Sequence, residues 1–448
     1  MKVIELKLND HKYLKPTFFI FSFLTVISNG LIYIFQFYLQ KGSVNYHLCT
    51  EIKTYTLTIF SRNLELIYPE SCDLKVYAEG VINIFSFYNL NQFVYLDRPI
   101  FVLYIAIIYN FLSLVNFTSL SSLAILKASF FIGQVFLTAI ISIYLLKILD
   151  LANLDIGYKY ITLPWLIAIS PMFKWHIFES TSMTFTFLIF LLGIFIYIKN
   201  QYINLSLYFF VVGLIYLIHR SALLILVFFI LLSIKSKDLT KEKIKSTFYF
   251  FIPVILYYLS IYLFSSFSDH QAEEYRQFIW IIDLLQGKET RVGGYFCQTP
   301  MSAIKCYLKD VIKLIKYLLF PVLTCLFYFV FNFKKLQKSI ITILFSGIIF
   351  CLIINIFWSF IGWYPPVRFS YYGFGNLIIF LSILIFFNLQ NIFSKVSYFF
   401  GLTFYFILLN HWNSPFVVEQ TIYIRISVPL FMFAIFFDYY KNNLKSIN

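Results

Sequence analysis

The sequence predicts an all-α polytopic membrane protein with about twelve transmembrane helices. Of its 448 residues, 60% are hydrophobic and only 12% are charged, whereas a soluble domain carries roughly 25% charged residues. The mean hydropathy is +0.80, which is more apolar surface than a soluble core can bury. The lysines form short clusters between long apolar runs, as the positive-inside rule requires of a membrane protein.

Twelve apolar runs approach the length that a helix needs to cross a bilayer. The first run follows four lysines. It is too long for a signal-peptide core, so we expect an uncleaved first span with its N-terminus inside. The runs occupy residues 17–39, 127–147, 160–175, 180–198, 203–219, 221–234, 247–266, 314–333, 339–358, 370–388, 397–410 and 424–437.

For one further apolar run, 99–116, the number of membrane crossings decides whether it spans the membrane. The stretch 235–245 holds five lysines and is predicted to be cytoplasmic, so an even number of crossings must precede it. We therefore expect 99–116 to dip into the membrane from outside or to lie along it. The alternative is that two short runs within 160–198 form one hairpin. In both cases we expect a protein of the bacterial inner (plasma) membrane with both termini in the cytoplasm.

The chain 1–448 is predicted to form a single transmembrane domain with two long extracytoplasmic loops, 40–98 and 267–313. Each loop contains two cysteines, and an oxidising compartment would allow a disulfide in each. Four free thiols are the alternative, and spacing alone does not decide between them. The two pairs are Cys49 with Cys72, and Cys297 with Cys306.

Asp73 is the leading candidate for a catalytic residue. Apolar residues recur from it at helical spacing, which predicts an amphipathic juxtamembrane helix on the outer surface. Asp73 then lies at the edge of the apolar face, where partial dehydration would raise its pKa and make it a better base. An N-cap is the alternative role, and Glu79 faces elsewhere. The apolar positions are Tyr77, Val81, Ile84, Phe85 and Tyr88.

The stretch 170–182 supplies a second acidic candidate, Glu179, together with His176. A carboxylate between two membrane spans is costly unless it is hydrated or paired, which favours a role in holding an acceptor or a metal. The alternative is a residue of the first turn of the next helix, where a negative charge is stabilising.

Three arginines near span ends are candidates for binding an anionic ligand: Arg98, Arg220 and Arg368. Arginine outside the membrane is unusual under the positive-inside rule, and its guanidinium binds phosphate in a bidentate manner. Ordinary interfacial anchoring is the alternative. Nucleic acid is not an expected partner, because the basic clusters are short. Scattered histidines and the lack of C-x₂-C spacing predict no structural zinc site.

The stretches "DLKVYAEG", "DRPIFVLYIA" and "SPMFKWHIFESTS", with a short His-Arg turn and a late Arg368, resemble the GT-C superfamily of membrane glycosyltransferases. The resemblance implies transfer of a sugar from a polyprenyl-phosphate carrier to a glycan, lipid or protein acceptor on the outer face. It implies Asp73 as the general base, Glu179 as a second acid and Arg368 near the lipid phosphate. Arg98, Tyr77, His176 and Arg220 are expected to line the substrate site. No cofactor is required, and a divalent metal is optional.

Two other functions stay open at this point. An O-antigen or exopolysaccharide polymerase would use Arg276 and Arg291 of the second loop to bind pyrophosphate-linked glycans. A transporter of lipid-linked sugars would need charges at span centres and a repeat between halves. The sequence shows no repeat and few such charges, since Lys127 lies near the end of its run.

Overall fold

The computed structural model describes part of the chain, and every structural statement below refers to that part. The described residues are 19–20, 22–25, 27, 51–59, 62–70, 80–82, 99–115, 122–151, 159–169, 183–198, 205–217, 245, 247–265, 286–287, 290–292, 295–297, 301–302, 305, 308, 324, 326–328, 330–331, 375–409 and 420–444.

Helices make up most of these residues, which confirms the helical fold class predicted from the sequence. Each lies on one of the apolar runs, although the ends differ by several residues. Within the described ranges they are α1 (Pro99–Leu114), α2 (Ser122–Leu151), α3 (Lys159–Ile169), α4 (Met183–Ile198), α5 (Leu205–Tyr216), a 3₁₀ turn (Phe248–Phe250), α6 (Phe251–Ser265), α7 (Gly375–Asn388), α8 (Ile392–Leu409) and α9 (Gln420–Leu444).

One described helix is long and apolar enough to cross a membrane, namely residues 124–151 of α2. Three shorter apolar stretches, 100–114, 248–257 and 392–404, also occur. A single helix of this kind is also found in the cores of soluble proteins, so the number of crossings stays a prediction.

The structure adds two antiparallel β-hairpins that the sequence analysis did not predict. In the first loop, β1 (Glu51–Ile59) pairs with β2 (Arg62–Glu70). Its register sets Tyr55 opposite Leu66 and Leu57 opposite Leu64. In the second loop, β3 (Thr290–Val292) pairs with β4 (Tyr295–Cys297).

The predicted helix after Asp73 is described only at residues 80–82, which are helical. Val81 is fully buried there, whereas Ile82 is exposed. The predicted spans 221–234 and 339–358 lie outside the described residues, as do Cys49, Cys72 and Cys306.

The run 99–116 forms α1, which begins at Pro99, a residue favoured at the first helical position because it has no N–H to leave unbonded. One side of α1 is buried and the other carries exposed apolar side chains, so its relation to the membrane stays a prediction. The buried residues are Phe101, Val102, Ile105 and Ala106; the exposed ones are Leu103, Ile107, Phe111 and Leu114.

Helices α8 and α9 form an antiparallel pair. The Ser397 hydroxyl donates a 2.8 Å hydrogen bond to the Leu430 carbonyl. One residue further along each helix, the Tyr398 and Phe431 rings lie 4.9 Å apart. Both aromatic side chains are buried. Nearer the beginning of α8 and the end of α9, the Phe393 and Phe437 rings lie 6.4 Å apart, which makes the pair antiparallel and extends the apolar packing along it.

A glycine allows α5 to approach the 3₁₀ turn that precedes α6. A Cβ atom at Gly213 would overlap the Phe250 carbonyl oxygen and the Pro253 ring. Tyr216, one turn later, packs edge-on against the Phe250 ring with 5.9 Å between centroids. A side chain at position 213 would therefore force the backbones apart.

We expect Gly213→Ala to lower the free energy of unfolding by about 1–3 kcal/mol, the usual cost of overpacking a close contact. The measurement is thermal unfolding of the purified protein in detergent. Leu207→Ala is the control, because this side chain lies at an exposed position of the same helix. Equal unfolding temperatures for the wild type and Gly213→Ala would contradict this packing.

Candidate functional site

Helix α2 carries a row of polar residues on the side that faces the protein interior and apolar residues on its exposed side. Lys127, Gln134 and Thr138 follow one another at steps of seven and four residues, which places them on one side of the helix. They are only 7%, 1% and 0% exposed. Ile132 and Phe136 lie two residues from Gln134 and Thr138, hence about 200° away around the helix axis, and they are 36% and 43% exposed. The helix therefore turns its polar side toward the protein interior.

Three hydroxyl groups on α2 each donate a hydrogen bond to the backbone carbonyl four residues earlier in the helix. Thr138 donates to the Gln134 carbonyl at 2.7 Å and Ser142 donates to the Thr138 carbonyl at 3.1 Å. Ser129 does the same to Ile125 at 2.7 Å. Such bonds let serine and threonine lie in an apolar helix at little cost, and their oxygens can still accept a hydrogen bond.

Tyr104 joins α1, α2 and α4. Its hydroxyl donates a 2.9 Å hydrogen bond to the Gly133 carbonyl on α2. Its ring packs edge-on against Phe185 on α4, with centroids 5.8 Å apart. A Cβ atom at Gly133 would come within 3.0 Å of Ile105 and 3.2 Å of Ile108, so the glycine lets α1 lie close to α2.

Helices α2 and α4 run in the same direction. Tyr104 brings Phe185 close to Gly133, and the Tyr144 ring lies 5.9 Å from the Phe195 ring. The two contacts are therefore eleven residues apart on α2 and ten residues apart on α4, in the same order along both helices. An antiparallel arrangement would separate the first pair by about 30 Å. The beginnings of α1 and α4 therefore lie near the first half of α2.

One further helix end lies on the same side. Six residues join α4 to α5, a connection short enough to make the two helices antiparallel, so α5 ends on the side where α4 begins. Helix α7 contacts the middle of α4, where the Phe380 ring lies 6.3 Å from the Phe190 ring.

None of the seven predicted site residues lies among the described residues: they are Asp73, Tyr77, Arg98, His176, Glu179, Arg220 and Arg368. Only the elements next to them in the chain are described.

Three of the seven are close in sequence to helix ends that share a side. Arg98 directly precedes Pro99 of α1, Glu179 comes four residues before α4, and Arg220 follows α5 by four residues. Arg368 precedes α7 by seven residues. The helix packing thus brings the beginnings of α1 and α4 and the end of α5 to one side of the bundle.

Sequence analysis did not select the polar residues inside α2. Lys127 was set aside because it lies near a run end, and hydropathy averaging concealed Gln134 and Thr138. The signal that could have found them is their spacing of seven and four residues within an otherwise apolar run. On α4, Thr184 is fully buried, and its hydroxyl has no hydrogen-bond partner among the described residues.

A second polar cluster lies at the turn between α7 and α8. The buried Asp438 side chain of α9 accepts hydrogen bonds from the backbone N–H groups of Gln390 and Asn391, at 2.9 and 2.7 Å. Asn391 is the N-cap of α8, since its side-chain oxygen accepts the Phe393 N–H at 2.9 Å. These bonds attach the turn to α9.

Lys395 lies in the first turn of α8, two residues before the predicted span 397–410. Burial lowers the pKa of its ammonium group, and the nearby Asp438 carboxylate acts in the opposite direction. The Asp438 carboxylate thus gives hydrogen-bond partners to the backbone of the α7–α8 turn, so the cluster stabilises the helix pair.

No group of three or more metal-ligating side chains occurs among the described residues. Comparisons with family models, curated proteins and solved structures found no match to this chain.

We expect Asp438→Ala to lower the free energy of unfolding by about 1–3 kcal/mol, because two backbone N–H groups lose their hydrogen bonds to a charged acceptor. Asp438→Asn keeps an acceptor oxygen and should lose less. Thermal unfolding measures both, with Asp150→Ala at an exposed position of α2 as the control. Identical stability of Asp438→Ala and Asp150→Ala would refute the capping role.

Proposed function

We propose that the chain is a polytopic protein of the bacterial plasma membrane with about twelve spans. The distribution of polarity on α2 carries this proposal, because a helix with buried polar residues and exposed apolar ones suits a lipid environment and not water. The same exposed apolar character extends along the 3₁₀ turn and α6. The exposed side chains there are Phe248, Phe251, Ile252, Ile255, Leu256 and Leu259.

Three of the described lysines agree with the proposed orientation, whereas Lys53, Lys127 and Lys305 fall on its outer side. Lys147 lies near the end of α2, and its ammonium is 4.7 Å from the Tyr144 ring centroid. Lys395 lies near the beginning of α8 and Lys441 lies near the end of α9. Because the two helices are antiparallel, both lysines lie at the same end of the pair. All three fall at ends assigned to the cytoplasm, as the positive-inside rule favours.

The proposed activity is that of an inverting glycosyltransferase that uses a polyprenyl-phosphate sugar. Asp73 removes the proton from the acceptor hydroxyl. The resulting oxygen attacks the anomeric carbon from the face opposite the phosphate. A new glycosidic C–O bond forms as the bond to the phosphate breaks, and the lipid phosphate leaves with the bonding electron pair.

The arginines would stabilise the leaving group. Arg368 is proposed to bind the phosphate, together with Arg98 and Arg220, because a guanidinium can donate two parallel hydrogen bonds to it. Glu179 would hold the acceptor, and Tyr77 and His176 would line the site. No step requires a metal ion.

The convergence of helix ends supports this assignment. The beginnings of α1 and α4 and the end of α5 lie on one side of the bundle, and each is close in sequence to one of the proposed residues Arg98, Glu179 and Arg220. A site assembled from several loops at one end of a helix bundle is a common arrangement for ligand binding.

Asp73→Asn should abolish sugar transfer by at least about a thousandfold, because the amide cannot accept the proton. The measurement is transfer of radiolabelled sugar from a panel of polyprenyl-phosphate donors to membrane acceptors by the purified protein in lipid.

Glu79→Gln is the matched control, since it removes the same charge from the same loop at a position predicted to face elsewhere. Both variants should express and elute like the wild type. Unchanged turnover by Asp73→Asn would end the assignment of a general base at this position.

A transporter of lipid-linked sugars is the second candidate, and the inward polar side of α2 favours it. Such a path would move the intact donor across the bilayer without breaking the glycosidic phosphate bond. The two functions separate in one experiment with sealed vesicles: an enzyme releases polyprenyl phosphate, whereas a transporter only changes the leaflet in which the donor is found.

A further inference from the structure

We propose that the hairpin of β1 and β2 binds the outer surface of the lipid bilayer through one of its two faces. Its partner is therefore a lipid surface, and the hairpin is a membrane anchor within the first loop. The inference rests on the proposed membrane location of the chain, and its link to catalysis rests on the proposed role of Asp73. It goes beyond the proposed function, because no step of sugar transfer uses this hairpin.

The register of the hairpin divides its residues between two faces. Residues opposite each other in an antiparallel pair belong to the same face, and successive residues of a strand belong to opposite faces. One face consequently contains six apolar residues in adjacent positions of the two strands. These residues, called the apolar face below, are Tyr55, Leu57, Ile59, Leu64, Leu66 and Tyr68.

The other face is polar in the middle of the hairpin and near its turn. Thr56 lies opposite Glu65, and Thr58 lies opposite Asn63. Its apolar residues lie near the open end of the hairpin: Ile52, Ile67 and Pro69. The hairpin is therefore amphipathic, with its two faces separated by the period of two that a strand imposes.

The apolar face requires a partner. A two-stranded hairpin is marginally stable by itself in water and gains stability when an apolar face is covered. Among the described strands, β1 and β2 pair only with each other. Six apolar residues left in water would oppose formation of the hairpin, because hydration of apolar surface is unfavourable.

The positions of the basic residues favour a lipid surface as that partner. Arg62 lies on the apolar face at the turn end, and Lys53 lies on it opposite Tyr68. Basic residues at the borders of an apolar surface suit the phosphates of a lipid headgroup layer, and tyrosine is enriched at the same level of a membrane. Glu51 and Glu70 lie opposite each other beyond Lys53, at the open end where the chain leaves the hairpin.

The unpaired edges of the hairpin place it on the bilayer and not within it. The outer edges of β1 and β2 carry backbone N–H and C=O groups that pair with no other described strand. Such groups are not tolerated in the hydrocarbon region, whereas water and headgroups can bond them at the surface. The chain length agrees, because β1 begins twelve residues after the end of the predicted first span, 17–39.

This placement has a consequence for Asp73, which follows the end of β2 by three residues. Three residues span at most about 10 Å. A hairpin held flat on the bilayer therefore keeps Asp73 close to the lipid–water boundary, where the proposed acceptor and donor meet. The hairpin is a positioning element and contributes no group to the reaction.

The test locates each face of the hairpin in the full-length protein in phospholipid nanodiscs. Single cysteines carry a fluorescent label in a variant whose six native cysteines are serine. Leu57→Cys and Leu64→Cys label the apolar face. Thr56→Cys and Asn63→Cys, one residue away in each strand, are the matched controls on the other face. Quenching is measured with a doxyl-labelled phospholipid and, separately, with iodide in the water.

The lipid quencher should act at least about threefold more strongly on the labels at 57 and 64 than on those at 56 and 63, because an interfacial apolar face enters the boundary between headgroups and acyl chains. Iodide should give the opposite order. Equal lipid quenching of both faces overturns the proposal. Labels on the apolar face that neither quencher reaches also overturn it, since protein would then cover that face, either elsewhere in this chain or in a second copy.

The positioning of Asp73 is tested with a charge on each face. Leu57→Glu should lower sugar transfer at least about tenfold, because a displaced catalytic group reacts slowly, and Thr56→Glu should transfer like the wild type. A label at position 64 should lose its lipid quenching in Leu57→Glu and keep it in Thr56→Glu. Equal transfer by the two variants would overturn the positioning role.

The outcomes separate this inference from the proposed activity. Lipid quenching confined to the apolar face, without sugar transfer by the wild type, would leave the membrane anchor and overturn the glycosyltransferase. Sugar transfer by the wild type with equal quenching of the two faces would do the reverse.

Discussion

The packing of α1 and α4 against α2 is the constraint on which the rest of the account depends. Gly133 lets α1 lie close to α2, and Tyr104 then reaches both the Gly133 carbonyl and the Phe185 ring. These contacts set α2 and α4 parallel, and the short α4–α5 connection fixes the direction of α5. Which helix ends share a side, and hence which loops can meet, follows from this one junction.

The same junction explains why α2 has buried polar residues. Gln134 and Thr138 are buried where α2 packs against other helices, and the Thr138 hydroxyl donates a hydrogen bond to the Gln134 carbonyl. In water the opposite distribution would be stable, because exposed Ile132 and Phe136 gain nothing from hydration. The proposed membrane environment therefore rests on this pattern of buried polar and exposed apolar residues.

Hydropathy predicted the existence of the helices well, because long apolar runs leave few alternatives. The ends of the helices were predicted less accurately. Helix α9 extends from Gln420 to Leu444, beyond the run 424–437. Its last turns are polar, and the contacts of Asp438 and Phe437 hold them in place. The 51–70 hairpin was missed because a loop was expected there, although Tyr55, Leu57 and Ile59 alternate with polar residues in the manner of a strand.

The inward residues of α2 were missed for a different reason. A hydropathy average over a sequence window hides Lys127, Gln134 and Thr138, because their neighbours are apolar. Their spacing of seven and four residues, together with the burial of that side of the helix, distinguishes them from polar residues placed at random. The predicted loop residues, from Asp73 to Arg368, depend on how the loops fold over the bundle end, and spacing within a single sequence does not determine this.

The most direct measurement of the central claim is the membrane side of each end of α2. Ser122 and Asp150 are exposed at its two ends, and each can be replaced by cysteine in a variant whose six native cysteines are serine. With a membrane-impermeant maleimide on intact cells, Ser122→Cys should be labelled and Asp150→Cys should be labelled only after permeabilisation. Labelling of both, or of Asp150→Cys alone, in intact cells would contradict the proposed orientation and the site built on it.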